Sequence, residues 1–345
     1  MNASPSEPHL TSGDTRPHNR QLGVGSRVVL RYRDADGALT DALGELLSFD
    51  DEVAVVRTRR GDVRVPRDAI VTGKEVPPAA KRPGRPHRVV GAADLQELMV
   101  GGMPPLESHW QGRWLLRAAN GYTGRANSVL PLGDPGMPVA DAITAIERWY
   151  DSRGLPGLVQ VYGPTAAEAL NSGIGRDLVA AEWRAMPDVL VMTAPTDAVV
   201  AAAGSPEHDV AVTERVSDRW IAGATARERD NSGTLTQILG RVRDGRYVTL
   251  GTDRIPDAVG RLALGRGWAG IFAVHVQPSL RRQGLARRTV GVLARAAQAA
   301  GAQATYLQVE AGNTAAVTLY ESLGFETHHE YAYLRHPSQA STSGI

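Results

Sequence analysis

The chain has 345 residues, 42% hydrophobic and 22% charged, enough for two or three domains with an ordinary soluble core. A net charge of +1 supplies no overall field that would favour nucleic acid or an anionic membrane surface, which argues against a nucleic-acid partner. The absence of cysteine excludes disulfides, thiolate metal sites and a cysteine nucleophile; no apolar run is long enough to span a bilayer and no signal-peptide core is present, so a cytoplasmic location is expected.

Residues 1–20 are polar, proline-bearing and aperiodic, the pattern of a disordered tail; residues 338–345 read the same way. From 21 to 76 the pattern is short strands: RVVLRYR (27–33), ALGELLSF (42–49), EVAVVRTRR (52–60) and DVRVP (62–66), separated by Asp-Gly, Asp-Asp and Gly-Asp turns. Five short strands in so few residues predict a small closed barrel, because an open sheet of this size leaves raw edges. The stretch VPRDAIV (65–71) resembles the single helical turn before the last strand of SH3-like barrels. Such a barrel is open to a protein-partner role. The proline-rich, basic segment VPPAAKRPGRPH (76–87) reads as a semi-rigid linker, given bounds of 77–90.

Beyond residue 90 two segments share one order of elements. In the first, VADAITAIERWYDSRG (139–154) carries Val139, Ile143, Ile146 and Tyr150 on one helical face; the strand GLVQVYG (157–163), the helical TAAEALNSG (165–173) and the strand VLVMTA (189–194) follow. In the second, LARRTVGVLARAAQAAG (285–301) places Leu285, Thr289, Val292, Leu293 and Ala296 on one face; ATYLQV (304–309), NTAAVTLYESLGF (313–325) and a strand around EYAYLR (330–335) follow. The order suggests a duplication, with boundaries at 91–196 and 197–337 and a linker-like TAPTDA (193–198) near the join.

The chemistry concentrates at PSLRRQGLA (278–286), between the buried strand GWAGIFAVHV and the helix that starts at Leu285. The first amides of a helix lack intrahelical acceptors and carry partial positive charge, a glycine lets backbone approach a ligand, and arginines add charged donors. Together these suit a pyrophosphate. The first segment has PLGDPGMPV (131–139) in the same slot, without arginine, with Asp134 where phosphate would sit and with prolines that remove donors.

Arg281, Arg282, Gln283, Gly284, Leu285 and Ala286 spell [QR]-x-x-G-x-[GA], and this loop, with the strand before it and the NTAAVTLYESLGF block after it, resembles the acetyl-CoA loop of the GNAT superfamily of N-acetyltransferases. The whole chain resembles actinobacterial tandem-GNAT proteins with an N-terminal SH3-like module. The resemblance implies an α/β (α+β, mixed-sheet) fold of two GNAT units behind an all-β barrel, the second unit active and the first degenerate. It implies transfer of an acetyl group from acetyl-CoA directly to a primary amine, a protein lysine or N-terminus or a small molecule, in a ternary complex. By the same resemblance, Val274 and Val276 offer backbone groups to the thioester and pantetheine, residues 281–287 including Arg287 hold the pyrophosphate, and Tyr320 protonates the leaving thiolate. Asn313 either meets the pantetheine amide or caps its helix.

An ammonium acceptor must lose a proton, so a general base is expected. Glu310 is the first candidate, against a bland reading as a solvated strand-end carboxylate; His275 is the second, against a core histidine. His328 and His329 would point to opposite faces of a strand and chelate poorly, and no H-E-x-x-H spacing occurs, so no metal is expected. The first segment lacks a counterpart to Tyr320, Asn171 falling near that place; Arg125, Asn127 and Ser128 are either acceptor contacts or a turn. Monomer and homodimer are both open, as is a silent acyl-CoA-binding regulator in place of the enzyme.

Overall fold

A computed structural model describes residues 22–34, 36–58, 61–76, 86–204 and 209–337. The predicted tails and most of the predicted linker lie outside these residues. The chain divides into two compact units, 1–83 and 84–345.

The first unit has β1 (Arg27–Arg33), β2 (Leu39–Phe49), β3 (Val53–Thr58), β4 (Gly61–Pro66) and β5 (Ile70–Glu75), with a single 3-10 turn, Arg67–Ala69, before the last strand. All neighbours are antiparallel in the order β4-β3-β2-β1-β5. Alternation along β1 and β3 points Val28, Leu30, Ala54 and Val56 inward, where they meet Ala42, Leu46 and Val65, all buried. The strand reading holds, but the expected closure does not appear as pairing. Among the described residues no ladder joins β4 to β5, so these strands are edges.

The second unit opens with α1 (Pro86–Val89), whose His87 is buried and whose carbonyl accepts from the Thr193 hydroxyl. The end of the sequence-read linker therefore belongs to this core. There follow α2 (Ala92–Met99), β6 (Glu107–Gln111), β7 (Trp114–Ala118), β8 (Leu130–Pro131), α3 (Val139–Asp151), β9 (Leu158–Gly163), α4 (Ala166–Asn171), α5 (Gly173–Ala180), β10 (Arg184–Ala185) and β11 (Val189–Pro195). Next come α6 (Thr196–Ala203), β12 (Val210–Thr213), α7 (Asp218–Gly223), α8 (Ala226–Asp230), α9 (Ser232–Leu239), β13 (Gly245–Leu250), β14 (Ala258–Gly265) and β15 (Trp268–Val276). The chain ends with α10 (Leu285–Ala299), β16 (Ala304–Glu310), α11 (Thr314–Ser322) and β17 (Glu326–Arg335). TAPTDA, expected as a linker, is the end of β11 running straight into α6, with Thr193, Ala194 and Thr196 buried.

A large mixed sheet runs β10-β17-β11-β16-β15-β14-β13-β12, with β9 also paired to β17. Its central order carries a strand exchange. β11, from the first segment, pairs antiparallel with β16 of the second from Val189↔Glu310 to Pro195↔Ala304. β17, from the second segment, pairs antiparallel with β9 of the first from Glu330↔Gly163 to Arg335↔Leu158. β11 and β17 then pair with each other. The cores confirm the exchange: Met192 and Ala194 pack with α10 and β14, while Leu334 packs with Trp114, Ile146 and Val159.

Candidate active site

β15 and β16 are parallel and hydrogen-bonded only over Trp268↔Ala304 to Ile271↔Leu307. Beyond that the strands part. On its other side β15 carries a register shift against β14, where Ala273 takes a φ of +52°. An extra residue there bends the strand and turns its end away from β16. The opening leads into a cleft of about 940 Å³ lined by Val274, Val276, the loop before α10 and the inner side of α11.

The loop follows Pro278–Leu280, a 3-10 turn, and passes through Arg282 at φ +67° and Gly284 at φ +80°. This left-handed backbone is costly for most residues and favours glycine. It aims the chain so that α10 begins at Leu285, with its first backbone bond running from Arg288 N–H to Gly284 O at 3.0 Å. The amides of Leu285, Ala286 and Arg287 precede that bond and face the cleft end without an intrahelical acceptor. A Cβ at Gly284 would meet nothing within 4 Å, so open space lies in front of the turn. The Arg287 guanidinium is pinned by bonds to Ala202 O and Ser322 Oγ, tying loop, α6 and α11 together.

Of the sequence candidates, Val274, Val276, Arg281, Arg282, Gly284, Leu285, Ala286, Arg287, Asn313 and Tyr320 line this one cleft. Gln283 is exposed and does not line it. Asn313 caps α11, its side chain accepting from Ala316 N–H at 3.2 Å, so the capping alternative holds while the residue also borders the cleft. Tyr320 packs edge-on against Phe325, and burial pushes its phenol up to about 12. It is therefore a protonated donor at neutral pH. Glu310 sits exposed at the end of β16 and is not among the lining residues, whereas half-buried His275 is. Burial holds the His275 imidazole below its ordinary value, which keeps it neutral and able to accept a proton.

His328 and His329 depart from expectation. Val191 pairs with His329 and Met192 with Thr327, so His328 is a bulge residue. The bulge brings the two rings together, with Nδ1 to Nδ1 at 2.8 Å, instead of to opposite faces. Among the described residues no group of three or more His, Asp or Glu side chains is placed to hold a metal ion.

Asn127 is a turn residue, its side chain bonding the backbone of Ala119, Gly121, Tyr122 and Thr123. Ser128 accepts from Arg117. Arg125 reaches the Tyr331 phenol. Helices α7 to α9 escaped the sequence reading, although Thr225-Ala-Arg-Glu228 carries a capping-box signal, and the box is formed. Thr225 contributes to the cleft wall.

The first segment also has a cleft beside parallel backbone. Val129 and Val159 form a parallel bridge, and a cleft of about 360 Å³ lies beside Pro131, Gly133, Pro135 and Val139 with no basic residue in its lining. Its Gly136 amide is taken by the Asp134 carboxylate at 2.7 Å.

Two family models account for most of the chain: "Probable histone acetyltransferase Rv0428c C-terminal" matches residues 93–334, and "Rv0428c N-terminal Sm-like domain" matches 22–74. The chain belongs to the Rv0428c acetyltransferase family. It is 31% identical over 324 residues to "Probable histone acetyltransferase Rv0428c" of Mycobacterium tuberculosis (strain ATCC 25618 / H37Rv), covering 92% of this chain and 96% of that one. It is 26% identical over 244 residues to the N-acetyltransferase YobR of Bacillus subtilis (strain 168), covering 69% and 96%. A GCN5-related N-acetyltransferase from Kribbella flavida shares the fold, with a TM-score of 0.52 at 18% identity over 71% of this chain and 95% of that one. Members of the Rv0428c family are thus GNAT-type N-acetyltransferases with an all-β first domain, here matched by an Sm-like model. No helix among the described residues is long and apolar enough to cross a membrane.

Proposed function

We propose that the protein transfers an acetyl group from acetyl-CoA to a primary amine by direct attack in a ternary complex. The observation that carries this reading is the coincidence, in one cleft, of unbonded helix-start amides, two exposed arginines and a protonated tyrosine at the splayed end of parallel strands. The pyrophosphate would meet the amides of 285–287 beside Arg281 and Arg282, and the pantetheine would run along Val274 and Val276 into the opening. The acceptor nitrogen attacks the thioester carbonyl, the C–S bond breaks as the C–N bond forms, and Tyr320 gives its proton to the leaving sulfur. The amine proton leaves to a base. His275, on the cleft wall, is better placed for this than Glu310.

The Mycobacterium tuberculosis relative carries "histone acetyltransferase" in its name, which makes a protein lysine one acceptor class beside N-termini and small amines. The Sm-like unit would serve as a partner-binding module. The test is coenzyme A release from acetyl-CoA across an amine panel, together with calorimetric titration of acetyl-CoA. Tight binding with no release on any amine would favour a silent acyl-CoA sensor.

A further inference from the structure

β15 departs from a regular strand beside the cleft. Val259 of β14 faces His275 and Arg261 faces Phe272, so Gly260 alone stands opposite Ala273 and Val274. The φ of +52° at Ala273 is left-handed, costly for a residue with a Cβ, and persists only where its surroundings hold it. Three consecutive residues, Val274, His275 and Val276, border the cleft, whereas a regular strand would point the middle one to the other face.

Much of what holds the bulge comes from α7, which does not line the cleft. The Trp220 indole Nε1 donates to Gly260 O at 2.9 Å, and this side chain is 1% exposed. Its ring lies edge-on to Tyr247 at 5.7 Å and shares with Val259 a buried cluster against which Ala273 packs. In the direction of its missing Cβ, Gly260 meets α10: a methyl there would strike Thr289 Cγ2 at 2.7 Å and Leu293 Cδ1 at 3.0 Å. The backbone opposite the bulge is therefore fixed by two helices.

α7 is itself tied down at both ends. Ser217 Oγ accepts from the Trp220 amide at 3.2 Å, and the Arg219 guanidinium donates to Gly251 O, Asp253 O and Thr249 Oγ1. At the other end Gly223 O accepts from Nε2 of Gln277, one residue past β15, at 3.3 Å. A Cβ on Gly223 would strike Pro256 at 2.4 Å and Val259 at 2.6 Å, so the helix lies tight on β14. Neither Trp220 nor Gln277 lines the cleft.

We propose that Trp220 is a positioning residue for acyl transfer. Its indole bond to Gly260 O keeps β15 bulged at Ala273, and so aims the backbone of Val274 and Val276 at the thioester and His275 at the acceptor amine. The assignment rests on the acyl-transfer reading above. Trp220 lies outside the pyrophosphate loop, so its loss should appear in turnover and leave the grip on coenzyme A intact.

Trp220→Phe keeps an aromatic ring and removes the donor. The full chain is assayed by coenzyme A release at saturating acetyl-CoA and a saturating amine, the most reactive of the panel above. The substitution should lower kcat about tenfold or more, the scale on which small misplacements act, with coenzyme A affinity by calorimetry within about twofold of wild type. Glycine adopts a left-handed φ without the cost that alanine meets, so in an Ala273→Gly background the same substitution should lower kcat by less than about threefold. A merely structural tryptophan predicts the same loss in both backgrounds, and that result would overturn the proposal. Unchanged turnover in Trp220→Phe, or a parallel loss of coenzyme A binding, would overturn it too. Should Trp220→Phe fail to fold, Gln277→Leu releases the other tie of α7 from a half-buried position. It should lower kcat in the wild-type chain and lower it less in Ala273→Gly; equal losses, or none, overturn the assignment. If the wild type acetylates no amine, the acyl-transfer reading fails separately, and the ratio of acetyl-CoA to coenzyme A affinity reports on the cleft wall instead. That ratio should fall in Trp220→Phe and recover when Ala273→Gly is added, and a ratio that does not move overturns the positioning role.

Discussion

Lowering the pH from 7.5 to 5.0 should destabilise the second unit through one buried imidazole. His329 is 2% exposed, and burial, with His328 beside it, holds its imidazole down at about 3 against an ordinary 6.5. Its partners explain why it stays neutral. His328 Nε2 donates to Val90 O, so a neutral His328 presents Nδ1 as an acceptor to His329 Nδ1–H. His329 Nε2 then accepts from Gln96, whose carbonyl accepts from Gln160, whose carbonyl in turn accepts from Arg117 Nη2. Arg117 can only donate and Val90 O can only accept, so the direction of the chain is set at both ends. The Tyr162 ring, edge-on at 6.2 Å, closes the remaining side.

The unfolded chain takes up a proton here below pH 6.5 while the native chain does not. Stability is therefore full above 6.5 and falls as the pH drops towards 3. At about 1.4 kcal/mol per pH unit per proton, the loss between pH 6.5 and 5.0 is about 2 kcal/mol. All six tryptophans lie between Trp110 and Trp268, so urea unfolding followed by tryptophan fluorescence reports on this unit. His329→Gln can accept from Gln96 and donate to His328 without titrating, and it should lose about 2 kcal/mol less than wild type over the same interval. Equal losses in the two proteins would refute the reasoning.

Tyr320→Phe should lower turnover by about 10²-fold or more while leaving acetyl-CoA affinity within a few-fold, as measured by coenzyme A release and calorimetry. Gly284→Glu should abolish acetyl-CoA binding, because it strains a φ of +80° and sets a carboxylate in front of the loop; a titration with retained binding would remove the loop from the site. Residues 197–337 expressed alone should lack cooperative unfolding, since β16 loses β11 and β17 loses β9; a sharp melt with coenzyme A release would show the exchange to be dispensable. Removing 1–83 at the unit boundary should spare activity on a small amine, whereas removing 1–90 also takes α1 and its buried His87 and should lower stability.

The local order of this protein was legible in its sequence. Period-two runs became β1 to β4, the apolar stripes of 139–150 and 285–296 became the buried faces of α3 and α10, and Gly284 marked a helix start. These features depend on residues a few positions apart, so spacing alone determines them. Tertiary structure decided the rest. A β-ladder can join strands far apart in the chain, and nothing in VLVMTA or EYAYLR said that each would complete the other segment's sheet. The bulge at His328, which turned two histidines expected on opposite faces into bonded neighbours, arises only against β11. His275 lines the cleft and Glu310, from the neighbouring strand, stands outside it. Packing alone settles which of such groups faces the cleft and which faces water.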